Sequence, residues 1–133
     1  MAERVSSLLR RSIEHLADEG PAGYRLVADR LGPLVVEIDV DHEIFCLSGG
    51  DALKVLDGPA AAGVRICTSR AAILEILDAR VQLADAVETD LLCVRGTLDA
   101  VLRAHDTLLA YVHAVVRSPA HPDLLAALRT ETP

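Results

Sequence analysis

The side chains able to do chemistry are thinly spread along the chain, and His105 is the sharpest of them. It lies inside a long apolar pattern in which Leu98, Val101, Leu102, Leu108, Leu109, Val112 and Val116 share one helical face, with the imidazole in their midst. A neutral imidazole among leucines needs a hydrogen-bond partner or forfeits on the order of 1–3 kcal/mol. Three roles are open to it: a core histidine bonded to a carbonyl or hydroxyl, the one polar contact for the head of an apolar ligand, or a general base. His113 sits two turns further on, at the edge of the same face. Without a carboxylate or cysteine at ligand spacing, the two histidines make no metal site.

Other chemistry-bearing groups read as structural. Asp39, Asp41 and Glu43 alternate around a turn with His42 between them, which is the pattern of a solvated strand face and lacks the loop of a calcium site. Ser48-Gly49-Gly50 has neither the GxSxG pattern nor the strand-to-helix position of a nucleophile turn. No glycine-rich phosphate loop occurs, so phosphate transfer and dinucleotide chemistry have no support. Cys46, Cys67 and Cys93 are widely spaced, each within an expected strand, and read as small buried hydrophobes rather than disulfide or metal partners. The residues thus favour a protein without catalysis and call for no cofactor.

Composition narrows the class further. The 133 residues fit one domain, 1–133, able to bury roughly 70% of the surface its unfolded chain exposes. Apolar residues make up 51% of the chain and mean hydropathy is +0.32, so some apolar surface is left over to line a cavity or an oligomer interface. Tyr24, Phe45 and Tyr111 are the whole aromatic set, and a core built from Leu, Val, Ile and Ala leaves room. A net charge of -7 repels phosphate backbones, which argues against nucleic acid, and it disfavours anionic membranes apart from a local contact through Arg10 and Arg11. No apolar run reaches the ~20 residues of a membrane span and the first residues lack a secretory core, so a cytoplasmic protein is expected. One lysine against twelve arginines fits a GC-rich bacterial genome.

These residues must be positioned by elements that the periodicity foretells. An amphipathic helix is expected over 3–19, stopped by Gly20-Pro21, with 24–31 ambiguous. Residues 34–56 read as a three-stranded meander: LVVEIDV, then EIFCLS, then ALKVL. A fourth strand, VRICT at 64–68, opens a helix near residue 70 capped by Thr68 or Ser69, and a short helix covers 81–88. LLCVR at 91–95 is the fifth strand; Gly96 turns, Thr97 caps the long helix, Ser118-Pro119 ends it, and a C-terminal helix runs over about 122–129. The core is then 34–117, and the class is α+β: a mostly antiparallel sheet of about five strands with helices covering one face.

From about Leu34 to Val116 this pattern resembles the sterol carrier protein family, a small non-specific lipid transfer domain. The resemblance rests on the meander ending in Asp57-Gly58, on VRICTS opening a helix, and on a short apolar strand closing with Gly96 before a long helix. Two positions depart from it. Thr97 stands where the family commonly has aspartate, and Asp78-Ala79-Arg80 stands where it usually has a glycine between the middle helices. The resemblance implies an apolar tunnel between helices and sheet that takes a sterol, fatty acid or acyl chain, though with fewer aromatics than the family's tunnels, mainly Phe45 and Tyr111.

Helix-face geometry nominates the lining: Val101, Leu102, His105, Leu108 and Val112 opposite the covered sheet face, flanked by Ile73, Leu77 and Val81; the resemblance adds Phe45 from the sheet. The same residues would also make a filled core, which would leave helix-mediated interaction, such as a homodimer, as the role of the surplus apolar surface. A small enzyme using His105 on an apolar substrate is the third reading.

Overall fold

The computed structural model describes residues 4–50 and 52–129. Its elements are α1 (Val5–Glu19), α2 (Pro21–Leu31), β1 (Val35–Val40), β2 (Glu43–Ser48), β3 (Lys54–Asp57), β4 (Val64–Thr68), α3 (Arg70–Leu77), α4 (Leu83–Glu88), β5 (Cys93–Gly96), α5 (Leu98–Val116) and α6 (His121–Arg129). The five strands lie in the order β3-β2-β1-β4-β5. All neighbours are antiparallel except β1 and β4, whose parallel pairing is made possible by the long connection through β2 and β3. This is an α+β fold with a mixed, mostly antiparallel sheet.

Period-2 alternation sets the two faces of that sheet. Phe45, Ile38, Ile66 and Val94 stand abreast across β2, β1, β4 and β5, forming an apolar row beneath the helices. On the opposite face Arg65 pairs with Glu37 at 3.1 Å and approaches Asp39 at 3.8 Å. The β1–β2 turn consists of Asp41 and His42, both at positive φ, the geometry that matches the right-handed twist of a two-residue hairpin.

Two of the acidic residues around this turn fasten the sheet to helices, and the third holds the turn itself. Glu43 accepts hydrogen bonds from the amides of Val5 and Ser6 at 2.9 and 3.0 Å, closing the N-terminus of α1. Asp41 accepts from the amide of Arg70 at the start of α3, where Ser69 is the capping side chain. Asp39 accepts from the amide of His42. The three carboxylates thus have specific partners while Asp41 stays exposed, and among the described residues no group of three His, Cys, Asp or Glu side chains is placed to hold a metal ion.

The main departure from expectation is α2. Gly20 ends α1, but Pro21 does not end helical structure: it occupies the first position of a new helix, where its missing N–H is no loss. α2 packs closely along α5, with Gly23 against Ala114, where an added Cβ would lie 3.0 Å from the alanine Cβ. The α5 face that approaches it is consequently the one with small residues, and Ala104, Thr107, Ala110 and Val115 are the buried positions. Leu98 and Leu102, read as inward-facing, are 73% and 55% exposed. Arg103 ties the two helices by donating to the carbonyl of Arg30 at the end of α2.

Candidate functional site

Between the apolar row of the sheet and the helices lies an unfilled space of about 130 Å³. Its floor is Ile38, Val40, Phe45, Leu47 and Ile66. α3 contributes Ile73, Ile76 and Leu77, and α5 contributes Thr107, Leu108, Tyr111 and Val112. α1 closes one side with Val5, Leu8 and Leu9, and α6 covers an end with Leu124 and Leu128.

Three hydroxyl groups border this space, and each is already engaged. Thr68 donates to the carbonyl of Leu91 at 2.8 Å and Thr107 to that of Arg103 at 2.7 Å. Ser12 spends its single proton on the carbonyl of Leu9 at 2.9 Å, so in the 2.6 Å contact between Ser12 and Tyr111 the tyrosine is the donor. Burial pushes the Tyr111 phenol up to about 12, the Ser12 hydrogen bond opposing that rise only in part. The hydroxyl protons on this wall are therefore all spent, and the rest of it is hydrocarbon.

Of the residues nominated from sequence, Phe45, Ile73, Leu77, Leu108 and Val112 border the space. Val81, Val101, Leu102 and His105 do not. Val81 and Val101 are half-buried and pack against other parts of the core, while Leu102 faces outward. His105 is half-buried beside the exposed stripe of α5 and makes no side-chain hydrogen bond with the described residues. For the three α5 residues, packing against α2 turns the helix away from the face that apolar content alone suggested; Val81 lies between α3 and α4, outside that helix. Sequence reasoning missed the contribution of α1 and α6. Leu8 and Leu9 carry an inward signal in their helical pattern, but nothing local says that α1 crosses the mouth of the sheet.

A second space, of about 320 Å³, adjoins the first. Arg11, Ser12 and His15 line it from α1, and His121, Asp123 and Ala127 from α6. Leu8 and Leu124 belong to the walls of both spaces. His121 is fixed by a 2.8 Å contact with the Leu77 carbonyl, which requires Nε2 to carry the proton.

Comparison with solved structures decides the fold. A ubiquinone synthesis protein, UbiJ-SCP2, superposes with a TM-score of 0.60 at 19% identity, over 80% of this chain and 95% of its own. A crystal structure of sterol carrier protein 2 gives 0.57 at 14% identity, over 84% and 95%. The fold is that of sterol carrier protein 2. The apo form of sterol carrier protein 2 from Yarrowia lipolytica agrees, with a TM-score of 0.53 at 12% identity over 80% of this chain and 88% of that one. No family model matches the sequence, and no curated protein does. The sterol-carrier fold is thus shared at identities where only the backbone arrangement has been kept. In this chain the stretch between α3 and α4 puts Ala79 at φ +60°, in the left-handed region that glycine adopts without strain.

Proposed function

We propose that the protein binds a lipid-like ligand, its hydrocarbon part lodged between the sheet and α1, α3, α5 and α6, and that it carries out no catalysis. The observation that carries this reading is the 130 Å³ space walled by aliphatic side chains. A dry apolar cavity of about 150 Å³ accommodates benzene, so the space suits an apolar group of about six carbons. The names of the structural neighbours, sterol carriers among them, support the same reading for this chain.

Magnitudes say what else the ligand needs. Six buried carbons contribute roughly 5 kcal/mol, and the loss of translational and rotational freedom on association consumes at least about 4 of it. The apolar space alone would therefore bind more weakly than about 1 mM. A ligand held usefully must extend beyond this space, and the adjoining chamber between α1 and α6 is the direction in which the walls are shared.

Native mass spectrometry of protein purified from cells, followed by titration with a fluorescent fatty acid, tests the proposal. Bound or displaceable lipid at one per chain is expected. Protein that neither carries nor accepts any lipid contradicts it.

Self-association is a second reading, favoured by a specific feature. Leu98, Leu102, Leu109 and Val116 form an exposed apolar line along α5, spaced by four and seven residues. Light scattering after size exclusion would detect a dimer, and Leu102→Glu would dissociate one built on this stripe.

A further inference from the structure

The three cysteines, all expected as small buried hydrophobes, divide in the fold. Cys46 is fully buried, its thiol donates to the carbonyl of Gly58 at 3.6 Å, and burial pushes its pKa up. Cys67 and Cys93 are only half-buried, and the fold brings them together as direct partners in the antiparallel pairing of β4 with β5. Ile66 and Val94, their neighbours in sequence, belong to the apolar row beneath the helices, so period-2 alternation sets both thiols on the opposite face of the sheet. Asp39 flanks Cys67 from β1, its carboxylate held by the amide of His42 and 3.8 Å from Arg65. Arg95 follows Cys93 on the same side of β5, and its pKa is raised, first by a side-chain hydrogen bond with Cys93 and then by Coulombic interaction with Cys93 and Cys67.

We infer that Cys67 and Cys93 are a reversible redox site, oxidised by a hydroperoxide to a cross-strand disulfide and reduced again by a small thiol. Opposed residues in an antiparallel pair have Cα atoms about 4.5–5.5 Å apart, inside the ~4.4–6.8 Å that a disulfide spans. Their Cβ atoms, about 4.5–5.5 Å apart in such a pair, must close to about 3.5–4.5 Å when the bond forms. β5 is the last strand of the sheet and is paired on one side only, so it is free to move inward. Strain left after that closure makes the bond easy to reduce, which marks a labile disulfide rather than a permanent one. The guanidinium of Arg95 places positive charge where a thiolate forms, which gives Cys93 the attacking role. With hydrogen peroxide, the Cys93 thiolate takes one oxygen, the O–O bond breaks, and the hydroxide released collects the thiol's proton as water. The Cys67 sulfur then displaces hydroxide from the Cys93 sulfenic acid, and its own proton completes a second water. Two thiols and one peroxide give one disulfide and two waters, two electrons passing from sulfur to oxygen.

Peptide mapping of the reduced full chain after a few equivalents of hydrogen peroxide tests the site. Trypsin should release peptide 66–70 joined to peptide 81–95, with Cys46 still a free thiol, and glutathione should restore both other thiols. Arg95→Gln should slow the linkage at least about fivefold, and Cys67→Ser should halt the reaction at a Cys93 sulfenic acid that dimedone traps. Cys67 and Cys93 that remain thiols, or that oxidise separately without linking, would overturn the inference. A link that forms but resists millimolar glutathione would also overturn it, since the bond would then be a fixed staple.

Discussion

Tyr111 is where the physical chemistry of the interior is most exposed to test at the scale of a single residue. Its phenol ionises near 10 in an unfolded chain and near 12 in the fold, because burial penalises the phenolate. A group whose folded pKa is raised adds stability below its unfolded pKa and loses it as pH climbs towards the folded value. The protein should therefore lose about 2 kcal/mol between pH 10 and 12 through this residue. Tyr111→Phe should flatten that part of the stability profile in urea titrations at stepped pH; an unchanged profile would refute the assignment. Ala79 offers a second test. Its left-handed backbone costs an alanine about 1–2 kcal/mol, partly offset by the entropy glycine would lose on folding, so Ala79→Gly should stabilise by roughly 0.5–1 kcal/mol in the same assay. The position is where the family resemblance called for a glycine. The residue types there disguised it, and the backbone reveals it.

At the scale of elements, α6 depends on polar ties to α3. Arg70 donates to the carbonyls of Leu128 and Ala127 at 3.1 and 2.8 Å, His121 meets the carbonyl of Leu77, and Arg129 pairs with Asp78 at 3.0 Å. Hydrogen bonds to charged groups contribute about 1.5–3 kcal/mol, so Arg70→Met should destabilise by about that amount and speed amide exchange in α6 before the sheet. Exchange that rises uniformly would count against α6 as a separately held cover. Strands were the most legible elements: EIFCLS and VRICT coincide with β2 and β4, because each is a compact β-branched or apolar run bounded by turn residues. α2 was not legible. Its opening Gly20-Pro21 looks like a stop, and its short apolar pattern over Tyr24–Leu31 is ambiguous alone. That omission propagated, since α2 decides which face of α5 is buried. Phe45, Ile73, Leu77, Leu108 and Val112 reach the candidate site through patterns that survive this rotation, while Leu102 and His105 do not. His105 consequently loses the central placement that suggested a chemical role.

For the molecule as a whole, an aliphatic, aromatic-poor sequence leaves the interior between sheet and helices incompletely filled. Among the described residues no helix is long and apolar enough to cross a membrane. Apolar side chains line the space between sheet and helices and form the outer stripe of α5. Filling the space should separate binding from folding: Val112→Phe adds a ring where room exists, so thermal stability should be kept and affinity for a ten-carbon ligand should fall at least tenfold. The most direct test follows the isoleucine methyl groups by NMR while decan-1-ol is added. Ile38, Ile66, Ile73 and Ile76 border the space, whereas Ile13 and Ile44 do not. Saturable shifts are expected in the first four methyls, with little change in the other two. Shifts at none of the first four, whatever happens elsewhere on the surface, would contradict binding in this space.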